Sequence, residues 1–241
     1  MKMLKTCIQL TSILTIVLIA FVIYSYLCLI PDISLLTNQN THIKIIGEPF
    51  YRDADDTCVF EEIPHQLVYA FIAAEDEDFY KHYGVNISAL MRATKKFVTT
   101  GKKRDGGSTI TMQVARNFFL HKRKTFWRKY REILVAIKLE RNLNKNEILT
   151  LYLNKIYFGH NAYGIKEAAA IYYDQSLDQL SLAQMAMLAT LPKAPSRVNP
   201  ISTPQIALKR RNTLLKKMFS LGFISLAAYQ HALSEPLTAV R

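Results

Sequence analysis

A long uncharged segment lies near the N-terminus. No charged residue occurs from Thr6 to Pro31, and the stretch from Ile13 to Ile23 is almost entirely aliphatic. At a rise of ~1.5 Å per residue, about 20 apolar residues cross the hydrocarbon core of a bilayer. A cleaved signal peptide usually has an apolar region of only about 7–15 residues and a small-residue cleavage site. No A-x-A pattern follows here. We therefore expect a cytoplasmic N-terminus and an uncleaved transmembrane anchor within residues 1–32, with a signal peptide as the alternative.

Beyond this anchor, apolar positions recur mostly at helical spacing. A connector at 33–64 shows strand character at 42–46, and a basic segment with glycines at 95–107 is predicted to be a mobile loop. Helices are predicted at 67–83, from a cap at Ser88, from Ser108, and at 125–143, 145–156, 161–173, 181–191 and 204–219. Because alternating strands are scarce, we expect a mainly α domain at 65–220, followed by a linker-like tail at 221–241.

The charge balance restricts the partners. The net charge is +12, with 31 basic against 19 acidic side chains, which suits nucleic acid, an anionic membrane or a phosphate-bearing substrate. Lys2 and Lys5 precede the apolar segment, and Asp32 is the first charge after it, so the positive-inside bias places the following domain outside the cytoplasm. Nucleic acid is thereby excluded. Cys58 is the only cysteine beyond the anchor, which excludes a disulfide framework there.

An acidic run, Glu75–Asp78, follows the apolar part of the first helix predicted after the anchor. Since neighbouring acids repel one another, a solvated helix turn is the simplest interpretation. Glu75, however, comes directly after an apolar stretch, where burial would desolvate its carboxylate. A desolvated carboxylate beside a cleft suits a general base that works near neutral pH. Helical spacing predicts that Glu75, Phe79 and His82 share one face.

A pair of glycines precedes Ser108, which is predicted to cap the next helix. Most such turns are only caps, but free backbone N–H groups at a helix start also favour an anionic ligand. Thr109, Gln113 and Arg116 are predicted to share the polar face of this helix. An amide and a cation on that face suit a diphosphate.

A basic cluster with Lys124, Arg128 and Lys129 precedes Glu132. Arg128 and Glu132 are four residues apart, so an ordinary helical ion pair is one interpretation. The other is a diphosphate clamp, in which arginine acts as a fork and lysine as a point charge. Two carboxylates with surplus cations suit glycosyl transfer from a diphosphate carrier, whereas glycoside hydrolysis needs only the carboxylates.

Five ordered segments resemble the motifs of family-51 glycosyltransferases. This family comprises the glycosyltransferase module of class A penicillin-binding proteins and the monofunctional peptidoglycan glycosyltransferases. The segments are Glu75–Gly84, Gly106–Asn117, Arg128–Glu132, Ile148–Ile165 and Leu188–Pro200. They cover most of the predicted domain in the expected order, which excludes a chance match.

The resemblance implies a mostly helical, lysozyme-like lobe and a small hydrophobic jaw lobe around 85–107 that lies against the bilayer. It implies that Glu75 removes the proton from the 4-hydroxyl of an incoming lipid II. That oxygen would attack the growing chain with inversion and release undecaprenyl diphosphate, while Glu132 assists at the donor site. Cations stabilise charge that develops on such a leaving group. Substrate contacts are implied for Ser108, Gln113, Arg116, Lys124, Arg128 and Lys129.

Two positions depart from the family pattern. The family usually has glutamine where this chain has Met112, and lysine where it has Arg116. Arginine still binds phosphate, but with a different reach and geometry. The chain contains neither Ser-x-x-Lys nor Lys-Thr-Gly, so no transpeptidase activity is expected of it. A monofunctional enzyme and the front part of a longer, bifunctional one both stay open.

The expected partners are lipid II, the growing glycan strand and membrane lipids, with a separate transpeptidase or other cell-wall synthesis proteins in addition. The expected location is the bacterial cytoplasmic membrane, with a single span and the catalytic domain on the periplasmic or extracellular side. No cofactor is clearly required, although the acidic run and a diphosphate together leave Mg²⁺ or another divalent cation open. A muramidase or lytic transglycosylase and a catalytically inactive scaffold are the alternative functions; retention of Glu75 and Glu132 argues against the scaffold.

Overall fold

A computed structural model describes residues 2–28, 30–31, 33, 57–101, 106–120, 125–195 and 197–240 of the chain. Within these residues the strands are β1 (Tyr157–Gly159) and β2 (Ala162–Tyr163), which form one antiparallel hairpin. The helices are α1 (Lys2–Cys28), α2 (His65–Glu75), α3 (Ile87–Thr100), α4 (Ile110–Phe119), α5 (Phe126–Asn142), α6 (Lys145–Lys155), α7 (Ile165–Tyr173), α8 (Leu182–Thr190), α9 (Pro204–Ser220) and α10 (Leu226–Ser234). The predicted mainly α fold is confirmed.

Two groups of helices build the core. One consists of α4 packed against α5 and α6, and the other of α2 packed against α8 and α9. Phe71 of α2 joins them, because its ring lies edge-on to Tyr152 of α6 and Phe158 of β1, with ring centroids 6.0 Å apart in each case. All three rings are fully buried. This packing joins α2 to α6 and to the hairpin.

Several helices begin where their capping residues predict. Thr125, Asn144 and Ser181 cap α5, α6 and α8, each accepting a backbone N–H with its side-chain oxygen. Asn144 and Ser181 also complete capping boxes with Glu147 and Gln184. Such reciprocal bonds satisfy the orphan N–H groups of a first helical turn. The bounds of these three helices agree with the prediction to within one residue.

The helix predicted to continue through the acidic run ends at Glu75. Asp76 has an extended backbone with φ −158°, and the next regular segment is a 3₁₀ turn at Phe79–Lys81. The predicted common face of Glu75, Phe79 and His82 is therefore wrong. Asp76 leaves the helix because its carboxylate binds the His82 ring and a backbone N–H at the start of α4.

The predicted loop at 95–107 is helical in its first part. Helix α3 is capped by Asn86 rather than Ser88 and continues to Thr100, after which Gly101 takes a left-handed conformation with φ +63°. Residues 102–105 of the predicted loop lie outside the described part. No residue of α3 is buried, and its apolar side chains at Ile87, Met91 and Val98 face solvent. This exposed apolar helix lies in the segment expected to form the jaw.

The tail that was predicted to be linker-like is folded onto the domain. It forms α10, which Ser225 caps and which packs against α9. Arg211 of α9 is buried and donates to the carbonyl of Glu235 at 2.9 Å, and the N–H of Val240 donates to the carbonyl of Tyr172 at 2.9 Å. These bonds hold the segment that follows α10 against the core.

Helix α1 contains the apolar N-terminal segment. Its residues Cys7–Cys28 contain an 18-residue stretch with a mean hydropathy of 2.4 and are long and apolar enough to cross a membrane. The last turns of α1 lie beside α5, where Phe21 stacks on Tyr130 with ring centroids 6.3 Å apart. The predicted strand at 42–46 and most of the connector lie outside the described residues.

Replacement of Gly84 by alanine is expected to destabilise the domain by about 2–4 kcal/mol. Gly84 has φ +84°, and an added Cβ would lie 2.7 Å from the carbonyl oxygen of Ala136 in α5. Gly101→Ala is the matched control, because φ is +63° there but no atom lies within 4 Å of the added Cβ. Thermal unfolding of the detergent-solubilised chain measures both. Equal losses for the two variants would contradict the role of the contact with α5.

Candidate active site

Glu75 lies at the C-terminal end of α2 with only 6% of its side chain exposed. Gln113 of α4 donates from Nε2 to its Oε2 at 3.0 Å. Lys193 holds Nζ 3.8 Å from Oε1 and also donates to the carbonyl of Ala74. Within the described residues Oε1 itself accepts no hydrogen bond. A buried carboxylate that is held by one oxygen and free at the other is suited to accept a proton from a bound hydroxyl.

Asp76 braces the end of α2 against α4. Its Oδ2 accepts the backbone N–H of Ile110 at 3.0 Å and lies 2.9 Å from Nε2 of His82. The carbonyl of His82 in turn accepts from Lys145 of α6 at 2.6 Å. Because Asp76 directly follows Glu75, these bonds also fix the backbone that carries Glu75. The first two acids of the run are therefore a site carboxylate, Glu75, and a structural one, Asp76.

Thr109, and not Ser108, caps α4. Its hydroxyl donates to the carbonyl of Gly84 at 2.6 Å and accepts the N–H of Met112 at 3.0 Å. The predicted cap is wrong by one residue because the threonine reaches both groups from a buried position. Ser108 is left to face α5, where its Oγ accepts from Nζ of Lys129 at 2.9 Å.

Glu132 is the centre of a charged cluster in the first turns of α5. It is buried, with 1% of its side chain exposed, and it binds Arg128 through Oε2 at 2.5 Å and Lys129 through Oε1 at 2.8 Å. Burial lowers the pKa of Lys129; the hydrogen bond and charge of Glu132 raise it, and the cations Arg116 and Arg128 lower it again. One carboxylate thus balances several cations, which leaves this region positively charged.

Arg116 lies close to both charged clusters, and Tyr152 lies near Glu75 and Arg116. Arg116 reaches the Oε1 of Gln113 at 3.5 Å. Burial raises the pKa of Tyr152 well above its usual range, and so does the charge of Glu75, whereas the charge of Arg116 lowers it. The Tyr152 hydroxyl is buried without a hydrogen-bond partner among the described residues. Arg116 thus lies between Glu75 and the cations of α5, and the two clusters form one continuous polar site.

A family model described as "Transglycosylase" matches residues 42–219 of the chain. The match covers both carboxylates, the cationic cluster and the helices that carry them. The chain belongs to the transglycosylase family. This confirms the glycosyltransferase family 51 that the five motifs predict, and with it the prediction that the chain is a glycosyltransferase.

Relatives of known name agree with this family. Penicillin-binding protein 1A from Pseudomonas aeruginosa is 51% identical over 75% of this chain, which spans only 22% of that protein. A protein from Cupriavidus necator to which transglycosylase activity is ascribed is 46% identical to this chain. The match covers 78% of this chain and 80% of that protein. A crystal structure of penicillin-binding protein 1A from Haemophilus influenzae aligns with 76% of this chain and 18% of its own, at 27% identity and a TM-score of 0.44. The chain thus spans about a fifth of the penicillin-binding proteins it matches.

Most of the predicted site residues come together around Glu75 and Glu132, and Lys124 lies outside the described residues. Sequence reasoning missed Lys193 and Tyr152 as members of the site. Both lie in segments that carry the resemblance, at positions where no residue type was interpreted for chemistry. Lys193 lies in a proline-containing turn after α8, and its contacts with Glu75 and Ala74 form only when this turn packs against the end of α2.

The acidic run does not form a metal-ligand set in the described part of the chain. Asp76 binds Ile110 and His82, Glu77 pairs with Lys217 at 2.8 Å, and Asp78 pairs with Lys81 at 3.3 Å. Mg²⁺ typically takes one or two carboxylates together with phosphate oxygens of a substrate. A divalent cation held jointly with a diphosphate therefore stays a prediction.

Proposed function

We propose that this chain polymerises lipid II into glycan strands by inverting transfer, with release of undecaprenyl diphosphate and without transpeptidase activity of its own. The observation that carries the proposal is a buried, half-satisfied carboxylate, Glu75, joined through Gln113 and Arg116 to a surplus of cations. A hydrolase needs the first of these features but not the second.

In the proposed reaction Glu75 is the general base. Its Oε1 takes the proton of the 4-hydroxyl of the acceptor lipid II as that oxygen attacks the anomeric carbon of the donor strand. The bond from this carbon to the diphosphate oxygen breaks, and undecaprenyl diphosphate leaves with the electron pair. Lys193 lies close to Glu75 and holds a positive charge beside the base. Gln113 orients the carboxylate by donating to its other oxygen.

The donor diphosphate is proposed to bind Arg116, Arg128 and Lys129. Ser108 lies beside these residues, and Lys124 is proposed as a further contact. Cations fixed at this position stabilise the charge that develops on the leaving group. Glu132 assists by holding Arg128 and Lys129 in place. The departures from the family pattern fit this arrangement, because Met112 is buried in the core while Arg116 faces the site.

The protein is proposed to be anchored in the cytoplasmic membrane by α1, with a single span and the catalytic domain outside. The apolar segment Cys7–Cys28 and the basic residues before it support this orientation. Growing glycan, membrane lipids and a separate transpeptidase are its proposed partners. A protease added to intact spheroplasts should remove the domain, and protection from that protease would contradict the orientation.

Incubation of the detergent-purified protein with labelled lipid II tests the proposed reaction. Polymer that is sensitive to muramidase is the expected product. Degradation of finished glycan without polymerisation would establish the hydrolase alternative, and a folded protein that does neither would favour the scaffold. Loss of activity in chelator that Mg²⁺ restores would establish a divalent cation, and equal activity in both would remove it.

The wild-type protein is expected to lose affinity for lipid II at alkaline pH, and the Lys129→Arg variant is expected not to show this loss. Because burial lowers the pKa of Lys129, this side chain loses its charge below the ordinary lysine value of about 10.4, and KM should rise over that pH range. Arginine stays charged, so KM of the variant should change little. Measurement of KM for lipid II between neutral pH and pH ~10 compares the two proteins.

Deprotonation of Lys129 does not destabilise the folded protein, so unfolding cannot explain the expected rise of KM at alkaline pH. Its pKa is lower in the folded chain than in the unfolded chain, so the unfolded chain binds more protons between the two values. The contribution of Lys129 to the free energy of unfolding therefore grows as the pH rises through this range. A parallel rise of KM in both proteins would instead contradict the assignment of Lys129 to the diphosphate.

A further inference from the structure

Helix α5 carries a second group of basic residues that the proposed reaction does not use. At ~100° per residue, Arg131, Lys138 and Arg141 fall within a sector of about 80° on α5, roughly 100–180° around the helix from Glu132. We call these three residues the cationic seam, because they follow the line where α5 meets the end of α1. Lys138 donates to the carbonyl of Pro31 at 3.1 Å, and Arg141 donates to the hydroxyl of Tyr26 at 3.4 Å.

The seam lacks neutralising carboxylates among the described residues. No ion pair of the described chain involves Arg131, Lys138 or Arg141, and the Nε of Arg131 is buried without a hydrogen-bond partner. The partners of the other two cations are a neutral carbonyl and a neutral phenol. Among the described residues, positive charge is therefore left over at this junction.

The position of the seam along α1 indicates which anion neutralises it. Phe21, within the apolar span, stacks on Tyr130, which stacks in turn on Trp127 with ring centroids 5.3 Å apart. Arg141 lies over the ring of Tyr26, 5.3 Å from its centroid, where α1 leaves the span. Aromatic rings of this kind mark the interface of a bilayer, and basic residues just outside it meet the lipid headgroups.

We propose that the cationic seam binds the phosphate headgroup of anionic phospholipid in the leaflet next to the domain. The lipid would neutralise Arg131, Lys138 and Arg141 while its chains pack beside α1. This holds α5, which also carries Arg128, Lys129 and Glu132 of the proposed site, at the height of the membrane phosphates. The inference rests on the proposed anchoring by α1 but not on the proposed transfer reaction.

The single tryptophan of the chain gives a direct measurement of this site. Trp127 is four residues before Arg131 on the same side of α5 and is half exposed. The full-length protein is placed in phosphatidylcholine vesicles that contain either brominated phosphatidylglycerol or an equal fraction of brominated phosphatidylcholine. Bromine quenches the indole at short range. We expect about fivefold more effective quenching by the anionic lipid, which reflects its enrichment at the seam.

Two charge variants assign the preference to the seam. The seam variant combines Arg131→Gln, Lys138→Gln and Arg141→Gln. Both brominated lipids should quench its indole equally. The control variant removes the same charge from exposed positions of α9, by Lys209→Gln, Arg210→Gln and Lys216→Gln combined, and should keep the wild-type preference. Equal quenching of the wild type by the two brominated lipids would overturn the proposal, and this result does not depend on the folding of any variant. A preserved lipid preference in the seam variant would overturn it as well.

Further arms of the experiment distinguish the source of the phosphate. Soluble inorganic phosphate at millimolar concentration, or a few per cent of undecaprenyl diphosphate in the vesicles, should leave the quenching unchanged. Release of the quenching by either would reassign the seam to a free anion or to the substrate and overturn the phospholipid proposal. Failure of the chain to float with the vesicles would overturn both the anchor and the seam, whereas flotation without lipid preference would overturn the seam alone.

Discussion

Glu75→Gln is expected to lower polymerisation of labelled lipid II about 10³-fold, because positioned general bases contribute about 10²–10⁴-fold to a rate. The amide keeps the size and the burial of the side chain but cannot take a proton from the acceptor hydroxyl. Gln113 would still reach the retained oxygen, so the local structure should change little. Binding of a diphosphate-containing donor analogue should therefore stay within about twofold of the parent while turnover is lost.

Glu77→Gln is the matched control for this experiment. Glu77 lies two residues further along the same acidic run, but it is exposed and pairs with Lys217 of α9. An exposed ion pair of this kind contributes at most about 1 kcal/mol, so its loss should leave polymerisation unchanged. If Glu77→Gln abolished polymer formation and Glu75→Gln did not, the base would have to be sought outside Glu75.

The acidic run shows which part of the site could be read from the sequence. The apolar residues before Glu75 predicted its burial, and the structure places it with 6% of its side chain exposed. The environment of Asp76 could not be predicted in the same way, because its partners Ile110 and His82 meet it only after α2 and α4 have packed. Helical periodicity assumes that the backbone continues, and a side chain with better distant partners ends the helix early.

Some helix ends could likewise be predicted from the local sequence, whereas others depend on distant contacts. Asn144 and the start of α6 could be predicted because a capping box consists of residues three apart. Thr109 and Ser108 are adjacent and both cap helices well, so the sequence alone does not discriminate between them. The choice depends on the carbonyl of Gly84, which is distant in the sequence and accepts the Thr109 hydroxyl. Local signals thus predicted the elements, and long-range contacts selected the details of the site.

The tail at 221–241 illustrates the same limit for a whole segment. Pro236 favoured a linker-like tail. The structure instead uses Arg211 of α9, which is 1% exposed and binds the carbonyls of Glu235 and Pro236. A buried guanidinium needs such acceptors, and α9 presents it toward the core. The sequence contains the arginine but gives no direct sign of the backbone groups that bind it.

Glu132→Gln is expected to lower the free energy of unfolding by about 3 kcal/mol and to abolish polymerisation as well. Removal of the carboxylate leaves Arg128 and Lys129 close together without their shared anion, and an unpaired charge in a buried cluster is costly. Lys129 should contribute more than Arg128 to this loss of stability, because burial already disfavours its charged form. Chemical unfolding of the detergent-solubilised protein measures the first effect, and the lipid II assay measures the second.

A double variant separates the two roles of Glu132. Glu132→Gln combined with Lys129→Met removes the pair together, and paired removal of buried charges is often nearly neutral for stability. We therefore expect the double variant to recover most of the lost stability but none of the activity, because a cation proposed to bind the diphosphate is then missing. Recovery of polymerisation together with stability would show that Glu132 and Lys129 serve the fold alone. A double variant as unstable as Glu132→Gln would show that Arg128, which is left unpaired in both variants, causes the loss of stability.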